Sequence, residues 1–289
     1  MATFNQTTIN PSRFHVRQLV FLAYLVPLAV VMVLPIIYIF STAFKPADEL
    51  FAYPPRFFVI KPTLINFQNL FRQTSQSGIP FSRYLFNSVV TTAIGVVLTV
   101  LVTSMSAFGL SKLHFKAKKP LFQINQYALM FVPIAVMIPR FLIIVNLGIF
   151  DTYLAHILPL LAMPVGLFLV KQFVDQIPDQ LLEAAKVDGA NAFMQYWHIV
   201  LPMTKPALAT VAILAFQLFW NNDVTSQLYV NADDLKTISF FLSTITSGAG
   251  VAGAGMGAAA SLLMFLPNVF FFIIIQNKVM DTMAHSGIK

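Results

Sequence analysis

The sequence predicts an all-α membrane protein with six transmembrane helices, on three observations. Hydrophobic residues make up 57% of the 289 positions and charged residues only 10%, where a water-soluble domain carries roughly 25% charged residues. Six apolar windows meet or approach the ~20 residues that a helix needs to cross a hydrocarbon core of ~30 Å. Prolines recur inside those windows, which helices in a membrane tolerate because neighbours satisfy the freed backbone groups.

The elements follow in order. Residues 1–18 form a polar, weakly basic segment. The first window, 19–40, is long and lacks a small-residue cleavage site, so it reads as a retained span and not a removed leader. The loop 41–84 holds Pro46, Pro54, Pro55 and Pro62 among aromatics and reads as a small ordered outer cap. Windows 85–110, 121–145 and 154–173 supply spans two to four, 207–220 a short fifth and 258–275 the sixth. The membrane domain as a whole is 19–277, followed by a tail at 278–289. Pro27, Pro133, Pro139, Pro159, Pro164 and Pro267 mark expected kinks, and several kinked helices point to a cavity between them.

Six spans put both ends on one side. The compact cluster Lys112, Lys116, Lys118 and Lys119 makes that side cytoplasmic, because short basic loops stay inside whereas long loops cross largely regardless of charge. The expected topology is therefore multi-pass, with both termini cytoplasmic. The net charge of +7 is distributed around apolar runs and forms no basic surface interleaved with aromatics, which argues against nucleic acid. With no cysteine and five scattered histidines, neither a disulfide framework nor a metal site is expected.

The polar stretch 177–206 between spans four and five is too patterned for a plain connection. Asp179 reads as the cap acceptor of a short helix running to Val187 or Asp188, with Glu183 near its start. Gly189 stops it by taking the left-handed conformation. Asn191 caps a second short helix through His198, and Pro202 ends that one. The small residues Ala184, Ala185, Gly189, Ala190 and Ala192 would let another protein approach the backbone, so the elbow reads as a docking surface. For Glu183 alone, stabilisation of its own helix dipole, worth ~0.3–1 kcal/mol, is the competing reading.

Glu183-Ala184-Ala185, Asp188-Gly189-Ala190 and Ile199-Val200-Leu201-Pro202, at this spacing, resemble the EAA loop of ABC-importer permeases. Ser41-Thr42-Ala43-Phe44-Lys45-Pro46, Tyr53-Pro54-Pro55, Asn87-Ser88, Ser106-Ala107-Phe108-Gly109-Leu110-Ser111, Leu147-Gly148, Asp151-Thr152 and Trp220-Asn221 extend the likeness to the maltose-type carbohydrate permeases, specifically the shorter second subunit. The resemblance implies a type I permease core in a bacterial inner membrane, whose Glu183 helix is a cytoplasmic coupling helix. It also implies a second related permease, two ATPase subunits carrying ATP and Mg, and an extracytoplasmic solute-binding protein. The coupling set would be Glu183, Ala184, Ala185, Asp188, Gly189, Ala190, Leu201 and Pro202. The carboxyl end departs from that group, which often finishes in a glycine-rich tail.

Candidate pathway residues are Arg140, Asn146, Gln217, Trp220 and Asn221. Arg140 either faces the cavity and favours anionic solutes such as uronic-acid oligosaccharides, or snorkels and binds carbonyls freed by Pro139. Trp220, with Gln217, Asn221 and Asn222, either stacks on and bonds to a sugar or anchors the membrane interface. Gly248-Ala249-Gly250-Val251-Ala252-Gly253 matches a dinucleotide fingerprint but follows no strand, and Gly253 and Gly257 read better as helix-packing positions.

No Gly-x-x-x-x-Gly-Lys-Ser/Thr loop occurs, so the chain holds no nucleotide by that route and no cofactor of its own is expected. No clustered catalytic side chains fall in the spans, so it is not read as an enzyme. Every acidic residue, from Asp48 to Asp281, lies in a loop or at a span end, against an ion-coupled carrier. The expected function is passage of a sugar or oligosaccharide across the membrane by alternating access. An ABC importer for another solute such as glycerol-3-phosphate and an ion-coupled secondary transporter are the alternatives.

Overall fold

The computed structural model describes residues 16–76, 78–248 and 253–286. In chain order the helices are α1 (Val16–Ala43), α2 (Ala47–Leu50), α3 (Ile65–Gln76), α4 (Phe81–Lys112) and α5 (Lys118–Ala128). A 3-10 turn, Pro133–Val136, leads into α6 (Met137–Asn146), followed by α7 (Tyr153–Leu161), α8 (Pro164–Asp175) and α9 (Asp179–Val187). Then come α10 (Ala192–Gln195), a π-turn (Tyr196–Val200), α11 (Leu201–Met203), α12 (Lys205–Trp220), α13 (Val224–Tyr229), α14 (Ile238–Gly248) and α15 (Ala254–Ser286). No strand occurs among the described residues.

Among the described residues, three helical stretches are long and apolar enough to cross a membrane unaided: Leu19–Ala43, Phe81–Lys112 and Ala254–Gln276. The other three expected spans are broken. The window 121–145 is divided by a 113° bend between Lys118–Ala128 and Pro133–Asn146. Pro133 starts the turn there, without an N–H to continue the preceding helix. The window 154–173 bends by 48° between α7 and α8, where Pro164 begins the second helix. The fifth helix, α12, has 16 residues, ~24 Å at 1.5 Å per residue, and meets the stretch Ala192–Met203 at 80°. The window 258–275 lies within α15, whose helix runs from Ala254 to Ser286 and so extends through most of the expected tail. Residues 1–15 and 287–289, and most of the 248–253 glycine motif, lie outside the described residues.

The chain divides into two compact units, Met1–Leu70 with Ala249–Leu262, and Phe71–Gly248 with Leu263–Lys289. In the first, Ala43, Ala259 and Leu262 form a small core with Phe44 and Phe67 against it. Asn66 is buried and donates through Nδ2 to the carbonyls of Ala43 (2.9 Å) and Lys45 (2.8 Å). A Cβ at Gly255 would lie 2.5 Å from Asn66 Oδ1, so a side chain there would displace the asparagine. Glu49 folds the following loop back by accepting from the backbone N–H of Ile60 (3.0 Å) and Lys61 (2.8 Å). Those N–H groups lower its carboxyl below the ordinary value against the opposing effect of desolvation, with the Arg56 and Lys45 charges adding to the lowering.

In the second unit α4 is the hub, packing against α7, α8, α12 and α14. Its small and hydroxylic residues permit this: a Cβ at Gly95 would lie 2.4 Å from the Phe219 ring of α12. Thr91 satisfies its own hydroxyl on the Asn87 carbonyl (2.8 Å), as hydroxyls in membrane helices do. The core joins Ala107 and Phe108 of α4, Val170 and Val174 of α8, and Ala207, Leu208 and Val211 of α12. Leu182 of α9 and Tyr196 and Val200 of the π-turn belong to the same cluster.

Buried polar side chains fasten the segment 221–238 to this frame. Asn87 Nδ2 donates to the carbonyls of Asp234 (2.8 Å) and Lys236 (2.9 Å), while Tyr153 Oη donates to Asn87 Oδ1 (2.7 Å). Ser88 Oγ accepts from the N–H of Ile238 (2.8 Å). His156, fully buried on α7, bonds Thr225 Oγ1 (2.9 Å) and the Leu235 carbonyl (3.1 Å). A buried polar group costs free energy unless it is paired, so these contacts fix the segment in one position.

Candidate functional site

The elbow between α8 and α12 is built from local rules at its ends and tertiary contacts in its middle. α9 ends in a Schellman arrangement: Gly189 has φ +84°, Ala190 N–H bonds the Ala185 carbonyl (2.8 Å) and Gly189 N–H bonds the Lys186 carbonyl (3.1 Å). Asn191 then caps the next helix, its Oδ1 accepting from Met194 N–H (2.8 Å).

Two expectations are corrected. Asp179 does not cap α9; Pro178 occupies that position without a side-chain bond. Asp179 instead accepts from Lys112 Nζ at 2.7 Å, and that hydrogen bond, reinforced by the lysine charge, lowers its carboxyl below the ordinary value. The Lys112 side chain is only 8% exposed and also donates to the Ile177 carbonyl (2.6 Å), so it anchors α9 to the end of α4. Pro202 does not end the second helix. Ala192–Met203 continues through it, because the π-turn at Tyr196–Val200 widens the backbone just before the proline ring and Leu201 N–H bonds the Tyr196 carbonyl.

α9 buries Leu182 and presents Glu183, Ala184 and Asp188 outward, with Ala185 and Ala190 half-buried. Leu201 is half-buried and Pro202 exposed on the return helix. Exposed apolar residues surround them: Val187 is 88% exposed, and Phe193 and Trp197 stack on one another (6.2 Å, 17°) while remaining largely exposed. Beside this face lies a groove of about 710 Å³, lined by Lys112, His114, Lys118, Glu183, Lys186 and Gln195 among others. The site thus combines an outward helix of small residues, an apolar rim and a charged groove, an arrangement suited to holding another protein. Sequence reasoning used Lys112 only for orientation and Val187 only as a helix end, and did not place Phe193 and Trp197 at this site; an aromatic pair at i, i+4 in an otherwise polar loop was the available signal.

The pathway residues do not form one cluster. Gln217, Trp220 and Asn221 share the end of α12, whereas Arg140 and Asn146 lie on α6. Trp220 is a packing residue: it is 4% exposed, donates Nε1–H to the Met264 carbonyl (3.1 Å) and stacks on Phe216. That geometry leaves no face of the indole for a sugar. Asn221 is exposed, donating to the Gln217 carbonyl (3.0 Å) and accepting from Asn268 Nδ2 (3.2 Å). Asn222, two residues before α13, accepts from Thr225 N–H through Oδ1 (2.9 Å). Gln217 and Asn146 are exposed, and Arg140 is half-buried with no hydrogen bond or ion pair among the described residues.

Comparison with known proteins agrees with this architecture. Residues 100–279 match the family model described as binding-protein-dependent transport system inner membrane component. The chain is 30% identical over 261 residues to the probable ABC transporter permease protein YurM of Bacillus subtilis (strain 168), covering 88% of this chain and 83% of YurM. It is 32% identical over 208 residues to the polygalacturonan/rhamnogalacturonan transport system permease protein YtcP of the same organism, covering 72% and 70%. Among solved structures, a bacterial ABC transporter involved in the import of the acidic polysaccharide alginate has a chain of the same fold, with TM-score 0.76, 21% identity and coverage of 92% and 99%. A family match over most of the chain, with α9 and its EAA pattern inside the matched region, leads to one assignment: this protein belongs to the binding-protein-dependent inner membrane components and is a permease subunit of an ABC importer.

Proposed function

We propose that this permease imports an oligosaccharide, with acidic, uronic-acid-containing chains as the preferred class, and that α9 is its coupling helix. The exposed α9 face, held to α4 at one end and closed by Gly189 at the other, is the observation that carries the coupling reading. The acidic class rests on the half-buried, unpaired Arg140 together with relatives named for polygalacturonan and alginate import.

In this reading the elbow and both termini face the cytoplasm. The chain pairs with a second, related permease; two ATPase subunits bind ATP and Mg, and an extracytoplasmic binding protein delivers the solute. Closure of the ATPases displaces α9, and the three broken spans, already divided into short rigid pieces, change angle so that a cavity opens outward and then inward. This chain's residues dock, transmit and line; hydrolysis occurs on the partners.

The test is ATP hydrolysis by the complete complex in proteoliposomes, with its binding protein and a panel of galacturonan, mannuronan and neutral oligosaccharides. Stimulation and uptake with the acidic members are expected. Stimulation by neutral oligosaccharides alone would refute the acidic class, and a particle in which no ATPase touches α9 would refute the coupling role.

A further inference from the structure

The coupling surface is only useful if its displacement reaches the spans, and a buried contact joins the elbow to α4. Tyr196, the first residue of the π-turn, is 2% exposed, and its phenol oxygen lies 2.8 Å from Ser104 Oγ on α4. Ser104 is also buried, and its hydroxyl donates to the Leu101 carbonyl (3.1 Å). The two hydroxyls share one hydrogen bond, for which either can supply the proton. The Tyr196 ring packs beside Phe108 (5.8 Å), inside the core shared by α4, α8, α9 and α12.

Phenylalanine would fill that space equally well. A phenol in an apolar layer is costly unless bonded, so packing alone does not account for the oxygen. Apolar contacts resist compression but slide and separate with little directional penalty, whereas a hydrogen bond is directional and resists both pulling and sliding. Its location is also specific: the π-turn is where the elbow's backbone leaves α-helical register, and such turns concentrate at functional sites. The elbow is therefore gripped by α4 twice, at Ser104 through Tyr196 and at Lys112 through Asp179 and the Ile177 carbonyl. Eight residues of helix separate the two grips, ~12 Å along α4. Two attachments at that spacing make the elbow and α4 move as one lever, where a single attachment would leave a swivel.

We propose that Tyr196 and Ser104 are positioning residues for transport, forming the buried link through which displacement of the α9 elbow is passed to α4. The inference rests on the coupling role assigned to α9 above. It predicts that removing the hydroxyl separates ATP hydrolysis from solute movement while leaving the fold and the ATPase dock intact.

The experiment compares Tyr196→Phe, Ser104→Ala and the double variant with the unaltered chain, each in the complete complex in proteoliposomes. Solute uptake per ATP hydrolysed, thermal stability and ATPase retention are read together. Uptake per ATP is expected to fall by about fivefold or more in either single variant, the lower range of coupling between distant sites, with the ATPases retained. The double variant should be no worse than either single one, since both remove the same bond, and Ser104→Thr, which keeps a hydroxyl, should restore coupling. Lower thermal stability with unchanged uptake per ATP in Tyr196→Phe and Ser104→Ala would overturn the proposal, because that is the signature of a purely structural bond. Loss of that result's premise is separable: if the unaltered chain assembles without an ATPase, the coupling reading falls and takes this link with it.

Discussion

Glu183, exposed on α9, and Arg140, half-buried with no hydrogen bond or ion pair among the described residues, each carry a prediction. Glu183 is exposed and its side chain makes no hydrogen bond or ion pair among the described residues, so Glu183→Ala should leave thermal stability within about 0.5 kcal/mol, as for surface sites generally. Uptake and ATPase retention should nonetheless drop, measured by co-purification and transport. Arg140→Gln should lower the ratio of acidic to neutral oligosaccharide uptake; an unchanged ratio would assign the guanidinium to interfacial snorkelling. Residues governed by near neighbours were legible in the sequence. Gly189 and Asn191 do what capping chemistry requires within five positions of chain. Asp179 and Trp220 were misread because their partners, Lys112 and Met264, lie 67 and 44 positions away. A local rule offered each a role that a distant partner pre-empted.

Among the elements, α4 and the loop after α2 are the most sensitive to single changes. Gly95→Ala puts a methyl group into the buried Phe219 ring, and overpacking of this kind typically costs 1–3 kcal/mol, roughly. A lowered unfolding temperature is expected, with recovery in the Gly95→Ala, Phe219→Leu pair; additive losses would show that the ring is not the obstacle. For the loop 51–64, the sign of the pH effect follows from Glu49. Its folded carboxyl sits below the ordinary value, so its contribution is complete above the unfolded value and is lost as pH falls through the folded one. The loop should therefore become more susceptible to protease only in acid below the ordinary carboxylate range, and Glu49→Gln should show that susceptibility at neutral pH. Element existence was readable from apolar windows and the breaks fall at prolines named as kinks, but which prolines would break a helix was not readable. Pro133 and Pro164 break their spans while Pro27, Pro35 and Pro267 sit inside continuous helices. The same residue type gives either outcome, depending on whether neighbouring helices supply the missing bonds.

For the whole molecule, the absence of cysteine makes orientation directly measurable. A single cysteine at Glu183 should react with a membrane-impermeant reagent only from the cytoplasmic side, and one at Tyr53, 96% exposed, only from outside. Labelling of both from one side would overturn the six-span topology. By itself the sequence determined the solvent, the helical class and the position of the elbow. Apolar content, window length and capping spacing are properties of contiguous chain, and lipid leaves the backbone few alternatives to helix. Only the tertiary structure decided which polar residues are bound internally and which remain available. Asn87, His156, Trp220 and Lys112 are engaged by the fold, whereas Arg140, Gln217 and Glu183 face outward or stand unpaired. The physical reason is that a hydrogen bond in a low-dielectric interior is decided by which groups the packing brings within about 3 Å, and chain order does not encode that distance.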